Sequence, residues 1–238
     1  MKYDPNVFDK NKEFYGRKKS SWHDYYFLEF IKQHKTTNAS LLDVGCGSGI
    51  FPILVRDMDP SIEITVIDPS SELLNKISCD FINKKIGSLP NNLCLDSDLR
   101  FGYIHLREVI HHIVGQSVKD SQEMAKESLV VLNSHLDDDG YIMIHELFFE
   151  GYLIPNFPRS LIFSLLKLQN DMEVKIPFKE FLLGLQVCFY TREEFCSLLA
   201  SCGYEILEHK LDYWESNWKK NTLMIKDWGR MMIIAKRK

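Results

Sequence analysis

Apolar and polar positions change their period several times along the chain, and each change marks an element. Between Trp22 and His34, residues Phe27, Phe30, Ile31 and His34 fall at helical spacing, which predicts an N-terminal amphipathic helix laid over the main body. From Ser40 the pattern becomes a short buried strand, Leu41-Leu42-Asp43-Val44, then glycines, then a helix carrying Ile50, Ile53, Leu54 and Val55. Pro52 is tolerated there because it falls in the first turn. A second strand from Ile62 to Ile67 ends at Asp68, and Ser70 with Glu72 starts a helix expected to bear Leu73, Leu74, Ile77 and Phe81. Phe101 to Leu106 reads as a strand and Met124 through Leu136 as a helix. Tyr141 to His145 reads as another strand after a polar turn, Asp137-Asp138-Asp139-Gly140.

Residues 147–190 break this rhythm, with Phe148, Phe149, Tyr152, Phe157, Phe163 and Phe178 among Leu and Ile, and predict a mostly helical, lid-like insertion. Regular structure resumes at Thr191, whose spacing to Glu194 makes a capping box, with Gly203 placed as the helix C-cap. Tyr204 to Asp212 and Arg230 to Ala235 read as two closing strands, an antiparallel pair across a loop containing Trp and Lys. Alternating strands and helices predict an α/β fold: a mostly parallel sheet flanked by helices, with an antiparallel C-terminal strand. The expected organisation is one domain, with an N-terminal helical cap (1–35), a core (36–146), the insertion (147–190) and the C-terminal part of the core (191–238).

The 238 residues are 45% hydrophobic and 26% charged, the range of ordinary globular proteins, which argues against disorder and fibrous structure. With 29 Lys and Arg against 33 Asp and Glu, the net charge of −4 offers no general attraction to phosphate backbones or anionic membranes. Nucleic acid is therefore not expected as a partner. The basic clusters Arg17-Lys18-Lys19 and Trp218-Lys219-Lys220 keep an RNA or protein substrate as the alternative, whereas Lys236-Arg237-Lys238 reads as a solvated tail. No run approaches the roughly 20 apolar residues that span a bilayer, and residues 1–19 lack the apolar core of a signal peptide, so a cytoplasmic location is expected. Six cysteines lie scattered without CxxC or Cys/His ligand spacing, which predicts reduced thiols and no metal site.

The most informative residues are Asp43-Val44-Gly45-Cys46-Gly47-Ser48-Gly49, a GxGxG loop joining a buried strand to a helix. Such a loop lies at the carboxyl edge of the sheet, where open α/β folds bind ligands. A dinucleotide fingerprint needs its third glycine where this chain has Ile50, and no Gly-Lys-Ser/Thr follows to make a phosphate loop. The segment resembles the first motif of the class I S-adenosylmethionine-dependent methyltransferases, an acidic residue followed by GxGxG, and Asp43 through Gly49 match it throughout.

That resemblance implies a Rossmann-like fold and S-adenosylmethionine as cofactor, with S-adenosylhomocysteine as product. It implies cofactor contacts from Asp43, Gly45, Cys46, Gly47, Gly49, Asp68, Pro69, Ser88, Leu106 and Arg107. Asp68 stands where the family's acidic residue holds both ribose hydroxyls, its other reading being a turn-forming Asp before Pro69. Ser88 occupies the place where many relatives have an Asp for the adenine amino group. Leu106 and Arg107 would border the methionine part. Cys46 reads as a small residue suited to the loop rather than a nucleophile.

The implied reaction is an in-line displacement onto a small-molecule acceptor covered by the insertion, in which the protein orients the nucleophile and removes its proton. Candidate bases are His112, His111 and Glu146. The histidines have a second reading as hydrogen-bonding supports of their loop. Glu146 has three: proton acceptor, partner of a cationic substrate group, or partner of Arg107, which is open to Glu108 as well. Tyr15, Tyr152 and Phe189 are candidates for the substrate pocket, and a binding module without catalysis is a further possibility of the fold.

Overall fold

The computed structural model describes residues 19–173, 183–215 and 218–238. Its helices are α1 (Trp22–Gln33), α2 (Ile50–Met58), α3 (Ser71–Leu74), α4 (Val118–Ser134), α5 (Phe157–Met172), α6 (Arg192–Ser201) and α7 (Trp218–Thr222). The strands are β1 (Ser40–Val44), β2 (Glu63–Asp68), β3 (Ile82–Ile86), β4 (Phe101–Arg107), β5 (Leu136–Gly151), β6 (Tyr204–Tyr213) and β7 (Ile225–Arg237).

They form one seven-stranded sheet in the order β3-β2-β1-β4-β5-β7-β6. β3 through β5 are parallel, and β7 runs antiparallel to both β5 and β6. Chain order reverses between β1 and β4, so the loops leaving these two strands diverge and open a crevice at their carboxyl ends.

Alternation along the strands gives the sheet two apolar faces. On one, Leu42, Val44, Ile104, Leu106, Ile142 and Ile144 pack under α4 and α6 through Leu129, Leu132, Phe195 and Leu199. On the other, Leu41, Tyr103, Met143 and Met232 meet Phe27 and Ile31 of α1 and Phe51 and Val55 of α2. The capping box at Thr191 forms as expected: its Oγ1 accepts from Glu194 N and its N donates to Glu194 Oε2. Gly203 follows α6 at φ +85°.

Several elements differ from the sequence reading, which has no strand at Ile82–Ile86 and begins the last strand at Arg230 rather than Ile225. The helix after Asp68 stops at Leu74, because Ile77 turns inward beneath Gly49, where a Cβ on the glycine would lie 2.7 Å from it, and Phe81 is left 73% exposed under Arg56. The helix expected from Met124 starts six residues earlier, capped by Ser117 Oγ, which accepts from Asp120 N, and Leu136 belongs to β5. Asp137–Gly140 is an irregular opening of β5, in which Asp139 accepts from both N and Oγ1 of Thr37. Finally, β5 does not end at Glu146 but continues to Gly151, paired throughout with β7. Residues 147–151 of the expected insertion are therefore strand, and α5 supplies its helix. Phe178 lies outside the described residues.

Candidate functional site

A cavity of about 860 Å³ opens at the β1/β4 crevice, within the size range of small-molecule sites. One end is built by the glycine loop. Gly45 N (2.7 Å) and Cys46 N (3.3 Å) donate to Ile67 O, which folds the loop over β2. Gly45 sits at φ +69°, and a Cβ there would come within 2.4 Å of Val109 Cγ2, so only glycine fits. Asp68 Oδ2 accepts from Gly47 N (2.8 Å) and its Oδ1 from Ser70 N (2.9 Å). Asp68 thus ties the loop to the turn before α3, in line with its turn-forming reading, while also lining the cavity.

Asp43, Gly45, Cys46, Gly47, Asp68, Pro69, Ser88 and Arg107 all line this cavity, whereas Leu106 and Gly49 do not. Leu106 points to the opposite face of β4 and is fully buried in the core. Gly49, at φ +73°, is the N-cap of α2, packed behind the loop on Ile77. Burial, then Asp43 and Asp68, pushes the Cys46 thiol well above its ordinary range, which keeps it protonated and unreactive. Asn91 joins Ser88 in the lining.

Arg107 is held from α1. Its Nη1 donates to Asp24 Oδ1 (2.9 Å) and Ser21 Oγ (3.3 Å) on α1. Asp24 is wholly buried, and its Oδ2 also accepts from Ser21 N, so one carboxylate caps α1 and holds the arginine at the cavity wall. Beside it, His105 Nδ1 lies 2.7 Å from Asp43 Oδ1, with the imidazole stacked on Phe51 at 3.9 Å.

Between the two ends of the cavity lies a 3₁₀ turn, Ile110–His112. Glu146 is 0% exposed and outside the cavity lining. Its Oε2 accepts from Ile110 N (2.8 Å) and His111 N (3.3 Å), and its Oε1 from Leu147 N (2.7 Å) and the His111 ring at Nδ1 (2.5 Å). Buried and outside the lining, Glu146 holds the 110–112 turn and the His111 ring and touches no space that a substrate could enter. The His111 ring lines the cavity, and among the described residues its Nε2 has no hydrogen-bond partner. His112 also lines the cavity, and burial, with His111 beside it, holds its pKa well below the usual imidazole value.

The far end of the cavity is apolar, walled by Phe149, Ile162, Leu166, Val187, Phe189 and Trp228. Phe189 stands against both Phe149 (4.2 Å between centroids) and His111 (5.2 Å). Tyr152 is exposed and outside the lining, and Tyr15 lies outside the described residues. Sequence reasoning missed Asp24, His105, Trp228 and Arg230. The signal for the last two is the alternation of Trp228, Arg230 and Met232 along β7, in register with Phe149, Leu147 and His145.

A methyltransferase-domain family model matches residues 22–209. The chain belongs to that family. Three solved structures show how far the likeness of this methyltransferase extends. An S-adenosylmethionine-dependent methyltransferase from Clostridium acetobutylicum is 13% identical, with 98% of this chain and 96% of that one covered and a TM-score of 0.58. A TehB-like methyltransferase from Corynebacterium glutamicum is 14% identical over 98% and 97%, with a TM-score of 0.54. PigF, solved with S-adenosylhomocysteine, is 15% identical over 98% of this chain and 60% of that one, with a TM-score of 0.54. These likenesses establish the fold. A comparison with curated proteins found no match.

The protein is thus an S-adenosylmethionine-dependent methyltransferase, and the glycine-loop end of its cavity fits that cofactor. The backbone approaches there without side chains, and the carboxylate of Asp68 lines the same end.

Proposed function

We propose that the methyltransferase acts on a small-molecule hydroxyl acceptor, held in the apolar end of the cavity and deprotonated by His111. The observation that carries this reading is the Glu146–His111 pair. A wholly buried carboxylate fixes the ring through Nδ1, which leaves Nε2 as the proton acceptor between the glycine loop and the apolar walls. S-adenosylmethionine, when bound, supplies the electrophilic sulfonium methyl. Asp68 and Ser88 hold its ribose and adenine sides, Asp43 and Cys46 support the loop, and Arg107, set by Asp24, borders the methionine side. Glu146 acts through His111 as a positioning residue, stabilising the imidazolium formed when Nε2 takes the proton. Phe189 and Phe149 keep the acceptor next to His111 and exclude water.

Among the described residues no helix is long and apolar enough to cross a membrane. We place the enzyme in the cytoplasm on its six thiols, none of which shows a pairing or ligand spacing.

The test is calorimetric titration with S-adenosylmethionine and S-adenosylhomocysteine, with NAD as control, followed by labelled-methyl transfer to a panel of hydroxylated small molecules, RNA and protein. Saturable binding of the first two ligands and label on a small molecule are expected. Label on RNA or protein alone would overturn the acceptor assignment.

A further inference from the structure

Two charged residues on the cavity wall have no part in the proton transfer described above. Arg230 Nε donates to Glu108 Oε1 at 3.2 Å, and the guanidinium lies over the Trp214 ring at 5.0 Å. Both side chains line the cavity and both are about one-third exposed. Among the described residues neither the terminal nitrogens of Arg230 nor Oε2 of Glu108 makes a hydrogen bond. The pair therefore offers a fork of donors and one charged acceptor to whatever occupies the chamber.

Glu108 is held for this at a cost. It sits at φ +53°, a left-handed conformation that is strained for a residue with a side chain. Its N–H donates to His145 O (2.7 Å), which keeps the chain there as it leaves β4. Behind Arg230, across β6, Asp212 is occupied by His23 Nε2 at 3.1 Å. Glu215 adds a second carboxylate at the exposed rim.

We propose that the acceptor is an uncharged, largely apolar ring compound whose edge carries an adjacent carbonyl and N–H, as in an amide or lactam, read by Arg230 and Glu108. This rests on the methyltransferase reading and specifies its substrate class. A carboxylate brought to Arg230 would also meet Glu108 and Glu215, and an ammonium brought to Glu108 would meet Arg230, so either ion suffers repulsion beside the contact it gains. It would also carry a charge into walls of Phe, Ile, Leu and Trp. A carbonyl accepting from the guanidinium beside an N–H donating to Glu108 Oε2 satisfies both residues without net charge. The aromatic walls favour a flat body between them.

The probes are four naphthalenes with one ring system and different edges: 2-naphthamide, methyl 2-naphthoate, 2-naphthoate and 2-(aminomethyl)naphthalene. Their binding is read by quenching of tryptophan fluorescence, with and without saturating S-adenosylhomocysteine. The amide should bind about tenfold more tightly than the ester, with both ions weaker still. Glu108→Ala and Arg230→Met should each bring the amide to the level of the ester, and Leu166→Trp, which fills the chamber, should weaken all four. Tightest binding by the naphthoate or the amine, or indifference to Leu166→Trp, overturns the proposal. Calorimetry with S-adenosylhomocysteine alone judges the methyltransferase reading separately, because the ranking of the probes without it still decides the acceptor class.

Discussion

Glu146 Oε1 lies 2.5 Å from His111 Nδ1, and the same carboxylate accepts from three backbone N–H groups of the turn and of its own strand. The His-bearing turn is thereby fastened to β5 by a single side chain. Glu146→Ala would leave those donors buried and unpaired, and we expect a loss of about 3–5 kcal/mol in urea denaturation. Glu146→Gln keeps the shape and part of the hydrogen bonding. It should lower kcat by about 10²-fold or more while leaving the Kd for S-adenosylhomocysteine within about twofold. Equal loss of kcat and cofactor affinity would show that Glu146 organises the whole cavity rather than His111.

Asp68→Ala removes the acceptor of Gly47 N and of Ser70 N together with the ribose contact assigned to it. Cofactor affinity should fall by at least an order of magnitude in calorimetry, since hydrogen bonds to a charged group are worth about 1.5–3 kcal/mol each. A folded variant with unchanged affinity would leave Asp68 as a loop clasp alone.

The Asp24–Arg107 pair separates charge removal from pair breaking. Asp24→Leu breaks the pair and removes the carboxylate that caps α1, and should cost about 3 kcal/mol, and Arg107→Met should do comparable harm by taking the cation from a carboxylate that is fully buried. The double variant removes both charges and should recover much of the loss. Additive losses in denaturation would mean that the two side chains contribute independently.

Residues 24 and 107 also show what a linear reading can and cannot find. The glycine loop, the strand ends at Val44 and Asp68 and the capping box at Thr191 were legible because their chemistry is local, with every participant within a few positions of the next. The Asp24 and Arg230 contacts join elements more than eighty residues apart, and nothing in the flanking residues announces them. β5 was read too short for a related reason. Asp137 to Gly140 looks like a turn and Glu146 like a strand end, yet Thr37 and the 110–112 turn supply the donors that let those acids lie within a strand. Trp228 carries no mark in the sequence because the chamber it lines exists only when β7 is in register with β5.

Acid should loosen the fold through buried imidazoles. Burial holds His112 and His145 well below the ordinary value of 6.5, with His111 adding for the first and Arg107, His23 and Arg230 for the second. Below pH 6.5 the unfolded chain binds protons that the folded one refuses. The stability these neutral rings contribute is therefore complete above that pH and declines as pH falls toward their folded values, by up to about 1.4 kcal/mol per pH unit for each. His145→Phe should flatten the dependence of stability on pH between about 6.5 and 5 in urea titrations. An unchanged slope would assign it to other groups.

The continuous strand β5 has a consequence for how this enzyme could change its chemistry over time. Its first half is bonded to β4 beside the cofactor crevice, and its second half, running to Gly151 along β7, carries Leu147 and Phe149 on the cavity wall. The glycine loop and Asp68 at the other end of the cavity follow β1 and close β2, and share no residue with this stretch. On the proposed function, substitutions beyond Glu146 would remodel the acceptor's wall while the donor's end keeps its place, so a new specificity need not begin by rebuilding the machinery for methyl transfer.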